Sequence, residues 1–289
     1  DQPLKAGPNL TVRDLASSYM RSLGKTHNPP KKYLKADPNR AKRIADAYAA
    51  MKHEPNHPLV KAAYDQLAKE TMAQYRHAIN NGYKFEFWDP SKQNDPYEAS
   101  PRLAVEDINR NKHMYVFPTR FGFGSDEEMK SSLKDNPLLA DSGEVWNGHP
   151  VTVNDIFRAV HDLYGHAHEG VGFRADGEEN AWRSHAAMFS PLARAALTSE
   201  TRGQNSWLNF GPHGEHNRSA RTEDTHFADQ KIGLLPAWAM HEGAEDFTPP
   251  DEIKEINRVM SAHKKTGGIV EKDPSVDKAL MLVRKIDSS

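Results

Sequence analysis

Two histidines five positions apart are the residues of this chain best suited to bind a metal ion. They are His161 and His166, in the segment HDLYGH, and the carboxylates Glu178, Glu179 and Glu200 follow them. Two imidazoles and one carboxylate form the facial ligand set of non-heme Fe(II), which leaves positions open for dioxygen and a substrate. The pattern therefore predicts an iron site whose carboxylate ligand is open among the three glutamates.

The spacing of the two histidines makes a demand on the helix that carries them. On an ideal α-helix, side chains five residues apart diverge by roughly 140°, which is too wide for two ligands of one ion. Gly165 lies where the helix would have to loosen for His166 to join His161. His168 is more nearly in line with His161, but a rise of about 10 Å separates them. We therefore expect a distortion at Gly165; the alternative is that these histidines are hydrogen-bonded core residues.

The three glutamates differ in their setting. Glu178 and Glu179 stand in the first turn of a predicted helix, where the helix dipole stabilises acidic side chains without any catalytic role. Glu178 and His185 share one face of that helix, so both are candidate catalytic residues, and Glu178 is also an alternative metal ligand. Glu200 ends an apolar run, and a carboxylate there needs a cation as its partner, either a metal ion or Arg202.

A polar segment from Arg202 to Arg218 is predicted to be a loop that contacts a substrate. Arg202 is suited to bind a carboxylate or phosphate through paired hydrogen bonds, which makes it a candidate for both catalysis and substrate binding. Trp207 offers a flat face on which a ring can stack. The other candidate substrate-binding residues are Gln204, Asn205, Asn209 and His213. An ordered surface loop that binds nothing is the alternative.

Three stretches carry a likeness to a known family: NDIFRAVHDLYGHAHEGVGF, the acidic helix after it, and ALTSETRG. Together they resemble the metal-binding core of the aromatic amino acid hydroxylases. The resemblance implies Fe(II) held by His161, His166 and Glu200, with a pterin or another molecule as the reductant. It implies a monooxygenase that uses dioxygen to hydroxylate an organic small molecule, aromatic or derived from an amino acid.

Two other functions stay open. The His161-Asp162 pair is similar to the metal-binding dipeptide of HD-type phosphohydrolases, in which a metal-activated water hydrolyses a phosphoester. The further ligands would then be His113 or His149 and Asp224 or Asp229. The segments GEENAWRSHAAMFSPLAR and FADQKIGLLPAW are also similar to parts of phage and mobile-element polyvalent proteins. That likeness suggests an origin but no activity, and the corresponding alternative is a non-enzymatic binding module of a mobile element, in which the histidines are structural.

Composition excludes several other classes of function. The 289 residues carry 38 basic and 40 acidic side chains, and a net charge of -2 argues against a broad nucleic-acid surface. Because the chain has no cysteine, thiolate ligands and thiolate nucleophiles are excluded. There is no apolar run long enough for a membrane span and no signal-peptide pattern, so we expect a soluble, cytoplasmic protein. Its oligomeric state is not predicted.

Periodicity predicts a mainly α-helical fold with a small antiparallel sheet. Helices are expected near residues 12–23, from Asp37-Pro38, over 57–79, from Thr152 through the histidine pair, over 176–199 with a break or bend at Pro191, and near 224–233. The runs YKFEFW and MYVFP are expected to pair as strands. We expect an N-terminal arm over 1–38, one helical metal-binding catalytic domain over 39–248, and a charged helical extension over 249–289.

Overall fold

The computed structural model describes residues 8–122 and 135–243, together with Arg258. The chain is mainly α-helical with little strand, so the predicted fold class is confirmed. It divides into two compact units, which we call the first unit (Asp1–Leu34 with Ala68–Met188) and the second unit (Lys35–Leu67 with Phe189–Ser289). Apart from Arg258, the predicted C-terminal extension lies outside the described residues, and the predicted domain boundaries stay predictions.

The described residues up to Gly122 include four α-helices, of which the first three lie close to their predicted positions. The four are α1 (Leu10–Ser22), α2 (Pro38–Ala50), α3 (Pro58–Asn80) and α4 (Arg102–Asn111). The start of α2 follows from its sequence, because the Asp37 side chain accepts a hydrogen bond from the Arg40 amide and proline is favoured at the first helical position. The start predicted for α2 is therefore confirmed.

The described residues contain two short strand pairs. The runs expected to pair do so, as β1 (Lys84–Phe87) and β2 (His113–Val116), but they are parallel rather than antiparallel. The reason is the connection, since α4 crosses between them and returns the chain in the same direction. The antiparallel pair is β3 (Asp141–Trp146) with β4 (His149–Thr152), which the sequence analysis missed. Its two-residue turn, Asn147-Gly148, has positive φ at both residues, as a tight hairpin requires.

The second half is helical, with two wide turns. The elements are α5 (Val153–His161), a π-helical turn (Asp162–Ala167), α6 (Ala175–Ala186), α7 (Pro191–Thr198), a second π-helical turn (Ser199–Gly203), α8 (Gln204–Phe210) and α9 (Gly214–Asn217). The predicted break at Pro191 is confirmed, because α7 begins there as a separate helix.

Two predictions for the second half were wrong. The expected substrate loop is largely helical, since α8 and α9 form within it. The helix expected near residues 224–233 does not form beyond a short turn over Thr222–Asp224. Tertiary hydrogen bonds explain this, because Lys231 Nζ donates to the carbonyl oxygens of Tyr48, Ala49 and Met51 at the end of α2. The segment is thereby held against α2 within the second unit.

Each unit has its own hydrophobic core. In the first unit, buried side chains of α1, α4, β1, β2 and α5 pack together around residues such as Val105, Ile156 and Val160. In the second unit, the core includes Ile44, Tyr48, Met51, Leu235 and Ala239. None of the described helices is both long enough and apolar enough to cross a lipid bilayer.

Candidate metal centre

The helix that carries His161 begins at a firmly held point. The Thr152 side chain accepts from the Asp155 amide, while Asp155 accepts from the Thr152 amide at 2.9 Å, so the two residues form a capping box. The other carboxylate oxygen of Asp155 accepts from the Thr119 amide at 2.8 Å and from its hydroxyl at 2.7 Å. These bonds fix the start of α5 in the first unit.

The two histidines meet because the helix widens after His161. In a π-helical turn each amide bonds to the carbonyl five residues earlier, so residues five apart lie on the same side. The ring centroids of His161 and His166 are 5.3 Å apart and their planes are nearly perpendicular, at 89°. The expected distortion around Gly165 is therefore confirmed.

Gly165 also lets α6 approach the widened turn. A Cβ atom added at Gly165 would lie 3.0 Å from the carbonyl oxygen of Ala181 and 3.3 Å from Cε1 of His161. Any larger side chain would push α6 or the His161 ring away. The close approach matters because α6 brings a carboxylate to the histidines.

That carboxylate is Glu178. His161, His166 and Glu178 each offer a ligand atom, and these atoms all lie within 4.8 Å of one another. Across the ranges that the structure describes, no other set of three or more histidine and acidic residues meets this condition. Glu178 Oε2 lies 3.2 Å from His166 Nε2. The alternative ligand of the sequence analysis is thus the glutamate that joins the histidines.

The surroundings of His166 leave its Nε2 atom facing the carboxylate. The opposite ring atom, Nδ1, lies 3.0 Å from the carbonyl oxygen of Gly172, which can only accept, so Nδ1 carries a hydrogen. Phe173 stacks on the ring with a centroid distance of 4.0 Å and an interplanar angle of 16°. Burial lowers the pKa of His166, but the charge and hydrogen bond of Glu178, the charge of Asp162 and the hydrogen bond to Gly172 together leave the pKa raised. The site therefore favours a positive charge at Nε2.

A series of hydrogen bonds fixes the His161 ring, as the bond to Gly172 fixes the His166 ring. The Gln74 side chain is oriented by its Nε2 donor, 3.5 Å from the Met188 carbonyl oxygen, so its Oε1 atom faces His185 Nε2 at 2.8 Å. His185 Nδ1 lies 3.0 Å from His161 Nδ1. Burial lowers the pKa of His185 to about 3 and that of His161 well below its usual range, so both rings are neutral.

Only one placement of protons satisfies this series. Gln74 Oε1 accepts, so His185 Nε2 must donate and His185 Nδ1 must accept. His161 Nδ1 then carries the hydrogen, and its Nε2 atom presents a lone pair. This Nε2 atom is buried and has no hydrogen-bond partner among the described residues. An unpartnered buried acceptor is costly, and a metal ion would satisfy it.

Glu200, the ligand that the resemblance implied, is not part of this group. It lies in the second unit, where its carboxylate accepts from the Tyr64 hydroxyl at 2.6 Å and from Gln230 Nε2 at 3.1 Å. Gln204 Nε2 lies 3.3 Å from its other oxygen. Burial raises the pKa of Glu200 to about 7, because these donors are neutral and offset only part of the desolvation. Glu179 is also outside the three-ligand group.

The predicted substrate-contacting residues of the second unit have structural partners. Arg202 is buried and donates to the carbonyl oxygens of Ala239 at 2.8 Å and Glu242 at 2.7 Å, so its guanidinium holds the chain at residues 239–242. The Asn209 amide donates to the Asn205 carbonyl oxygen within α8. Contacts among the aromatic rings link His213 to Trp207 and to His226.

The HD-type ligand set is not assembled either. His113 is engaged by Asp107, 2.7 Å from its Nδ1 atom, and neither His149 nor the aspartates at 224 and 229 belong to the three-ligand group. Asp162, the second residue of the dipeptide, instead lines a cavity of about 200 Å³ in the first unit. Phe173 lines the same cavity and also stacks on His166, so one aromatic ring contacts both.

Comparison of the chain with known protein families, with curated proteins and with solved structures finds no match. The resemblances to aromatic amino acid hydroxylases and to polyvalent proteins therefore stay predictions. The geometry of the first unit is the feature of the molecule that supports a function.

Proposed function

We propose that this chain is a metalloprotein in which His161, His166 and Glu178 bind one divalent transition-metal ion. The observation that carries the proposal is the state of the two rings. Each is held through Nδ1 by a hydrogen bond, each presents Nε2 as the ligand atom, and one carboxylate completes a set within 4.8 Å. Outer hydrogen bonds that fix the ring nitrogen available for coordination are typical of histidine metal ligands.

The donor set selects the class of metal. Magnesium and calcium prefer oxygen ligands, whereas imidazole nitrogen suits iron, zinc, copper and nickel. Two histidines and one carboxylate are typical of non-heme Fe(II) oxygenases, so we propose a hydroxylase-like enzyme of that class. When bound, Fe(II) supplies redox chemistry and positions for dioxygen and an organic substrate. The contribution of the chain is to fix both rings, to place one negative charge beside them, and to cover the His166 ring with Phe173.

The first experiment is elemental analysis of protein purified without an affinity tag or added metal, followed by anaerobic titration with Fe(II) and Co(II). We expect one ion per chain in the wild-type protein. His161→Ala and Glu178→Gln should lose it while keeping their helical circular dichroism. Glu200→Gln is the matched control, because it removes a glutamate charge in the second unit and should leave the metal content unchanged.

Two results would overturn the proposal. A wild-type protein that binds neither ion would remove the metal site altogether. Retention of the ion by Glu178→Gln together with its loss from Glu200→Gln would move the ligand to Glu200. Metal-dependent oxygen consumption, measured with an oxygen electrode and an added reductant, tests the oxygenase class separately from the metal site.

A further inference from the structure

The cavity beside Asp162 has walls that are mostly aromatic. Trp88 and Phe117 lie with ring centroids 5.4 Å apart on one part of the lining, and Tyr97 and Tyr115 lie 6.3 Å apart on another. Phe173 completes the aromatic lining next to the proposed metal centre. A cavity of about 200 Å³ with this lining is suited to a small organic molecule rather than to water alone.

The least exposed charged group in the cavity lining is the carboxylate of Asp162. It is half-buried, and among the described residues it has no hydrogen-bond or ion-pair partner. A partly buried carboxylate without a donor is unfavourable unless a ligand supplies one. Because Asp162 lines the cavity, a ligand bound there is placed to supply the missing donor.

Two neighbouring cationic side chains, Arg158 and His166, attract this carboxylate but form no hydrogen bond with it. Arg158 also lines the cavity, but its Nη1 atom donates to the Phe117 carbonyl oxygen at 2.9 Å and so holds the wall. Asp95, at the exposed side of the cavity, adds a second negative charge. The lining contains two carboxylates and one guanidinium, and this net negative charge favours a positively charged ligand over an anion.

We propose that this cavity binds an organic cation whose ammonium or amidinium group pairs with Asp162 while its apolar part packs on the aromatic walls. Aromatic faces attract cations as well as apolar groups, so the walls and the carboxylate select the same ligand. This inference goes beyond the proposed metal function and does not require it. If both hold, the cation is the molecule placed next to the metal centre, because Phe173 both lines the cavity and stacks on His166.

Four probes of similar size test the charge requirement on the full chain: benzyltrimethylammonium, benzylamine, benzyl alcohol and phenylacetate. Binding is measured by calorimetry and by the fluorescence of the tryptophans, once with a chelator present and once after loading with Co(II). We expect the two cations to bind at least about tenfold more tightly than the alcohol and the anion. Preference for phenylacetate, or equal affinity for all four, would overturn the proposal.

The matched variants are Asp162→Asn and Asp95→Asn. Asp162→Asn keeps the shape and removes the charge, so it should weaken cation binding by about tenfold or more and leave benzyl alcohol unchanged. Asp95→Asn removes an exposed charge and should have only a small effect. Trp88→Leu removes one wall without touching the carboxylate and should also weaken the cations. Unchanged cation binding in Asp162→Asn would overturn the proposal.

Metal content separates this proposal from the preceding one. Cation binding in the presence of chelator, by a protein that holds no metal, would support the cavity proposal while the metal proposal fails. Loss of metal from Asp162→Asn would show that Asp162 serves the metal centre, and it would overturn the assignment of this carboxylate to a cationic ligand.

Discussion

Replacing Gln74 with leucine tests whether the hydrogen bonds from Gln74 through His185 hold His161 in the tautomer that binds metal. The substitution removes the Oε1 acceptor, 2.8 Å from His185 Nε2, and fills nearly the same volume. Because the side chain of Gln74 is hydrogen-bonded to His185 and Met188 rather than to a proposed ligand, we expect its effect on metal binding to pass through the pair His185–His161.

Two effects are expected, and their sizes follow from the contacts. A buried His185 N–H without an acceptor lowers the free energy of unfolding by about 1–3 kcal/mol. His185 is free to move its hydrogen to Nδ1, and the hydrogen of His161 must then occupy Nε2, the atom that would bind the ion. Loss of such an outer hydrogen bond weakens metal binding by about 10–100-fold, or roughly 1.4–2.7 kcal/mol.

The measurement is competition for Co(II) between the protein and a coloured chelator, with stability followed by denaturant unfolding. Gln74→Glu keeps an acceptor for His185 and should recover most of the affinity. Thr71→Val is the structural control on the same helix, because the Thr71 hydroxyl is buried without a hydrogen-bond partner and its removal should leave affinity unchanged. If the Gln74→Leu protein is destabilised but binds Co(II) with wild-type affinity, the proposed role of these hydrogen bonds in metal binding is refuted.

Two further predictions concern Gly165 and Glu200. Gly165→Ala should lower stability by about 1–3 kcal/mol and weaken metal binding, because its Cβ would lie 3.0 Å from the Ala181 carbonyl oxygen; an unchanged denaturation midpoint would contradict this. For Glu200, burial raises the pKa to about 7, above its value in the unfolded chain, so the folded protein binds the additional proton. Wild-type stability should therefore fall as pH rises from about 4.5 through 7, and Glu200→Gln should lack this loss, gaining on the order of 1–3 kcal/mol relative to wild type above that range. Parallel pH–stability curves for the two proteins would show that the assignment is wrong.

Local chemistry made much of the fold predictable. Proline after Asp37 and the Thr152 cap mark helix starts that the structure confirms. Strand direction was not predictable from the strands themselves, because alternation in β1 and β2 is the same for either direction and the intervening α4 decides it. The absent helix near residues 224–233 shows the opposite case, in which bonds from Lys231 to distant carbonyls override a local pattern.

The candidate site, like the fold, was predictable from the sequence only in part. The spacing of His161 and His166 was enough to predict a widened turn, because an ideal helix cannot bring them together. The choice of Glu178 over Glu200 depends on the packing of α6 at Gly165, which sequence spacing does not contain. Gln74 was missed, although one signal was present: it is a polar residue at a core-facing position of α3, fully buried beside Thr71.

The π-helical turn at Asp162–Ala167 has a consequence for how the length of this segment can vary. Such a turn holds about one residue more than a turn of α-helix. Deletion of one residue between His161 and His166 would restore a regular helix, keep the packed faces on either side in register, and leave the histidines four positions apart, where an ordinary α-helix aligns them. The segment with the extra residue and the segment without it therefore present the same pair of histidine side chains. The extra residue changes the local backbone and not the proposed ligand set.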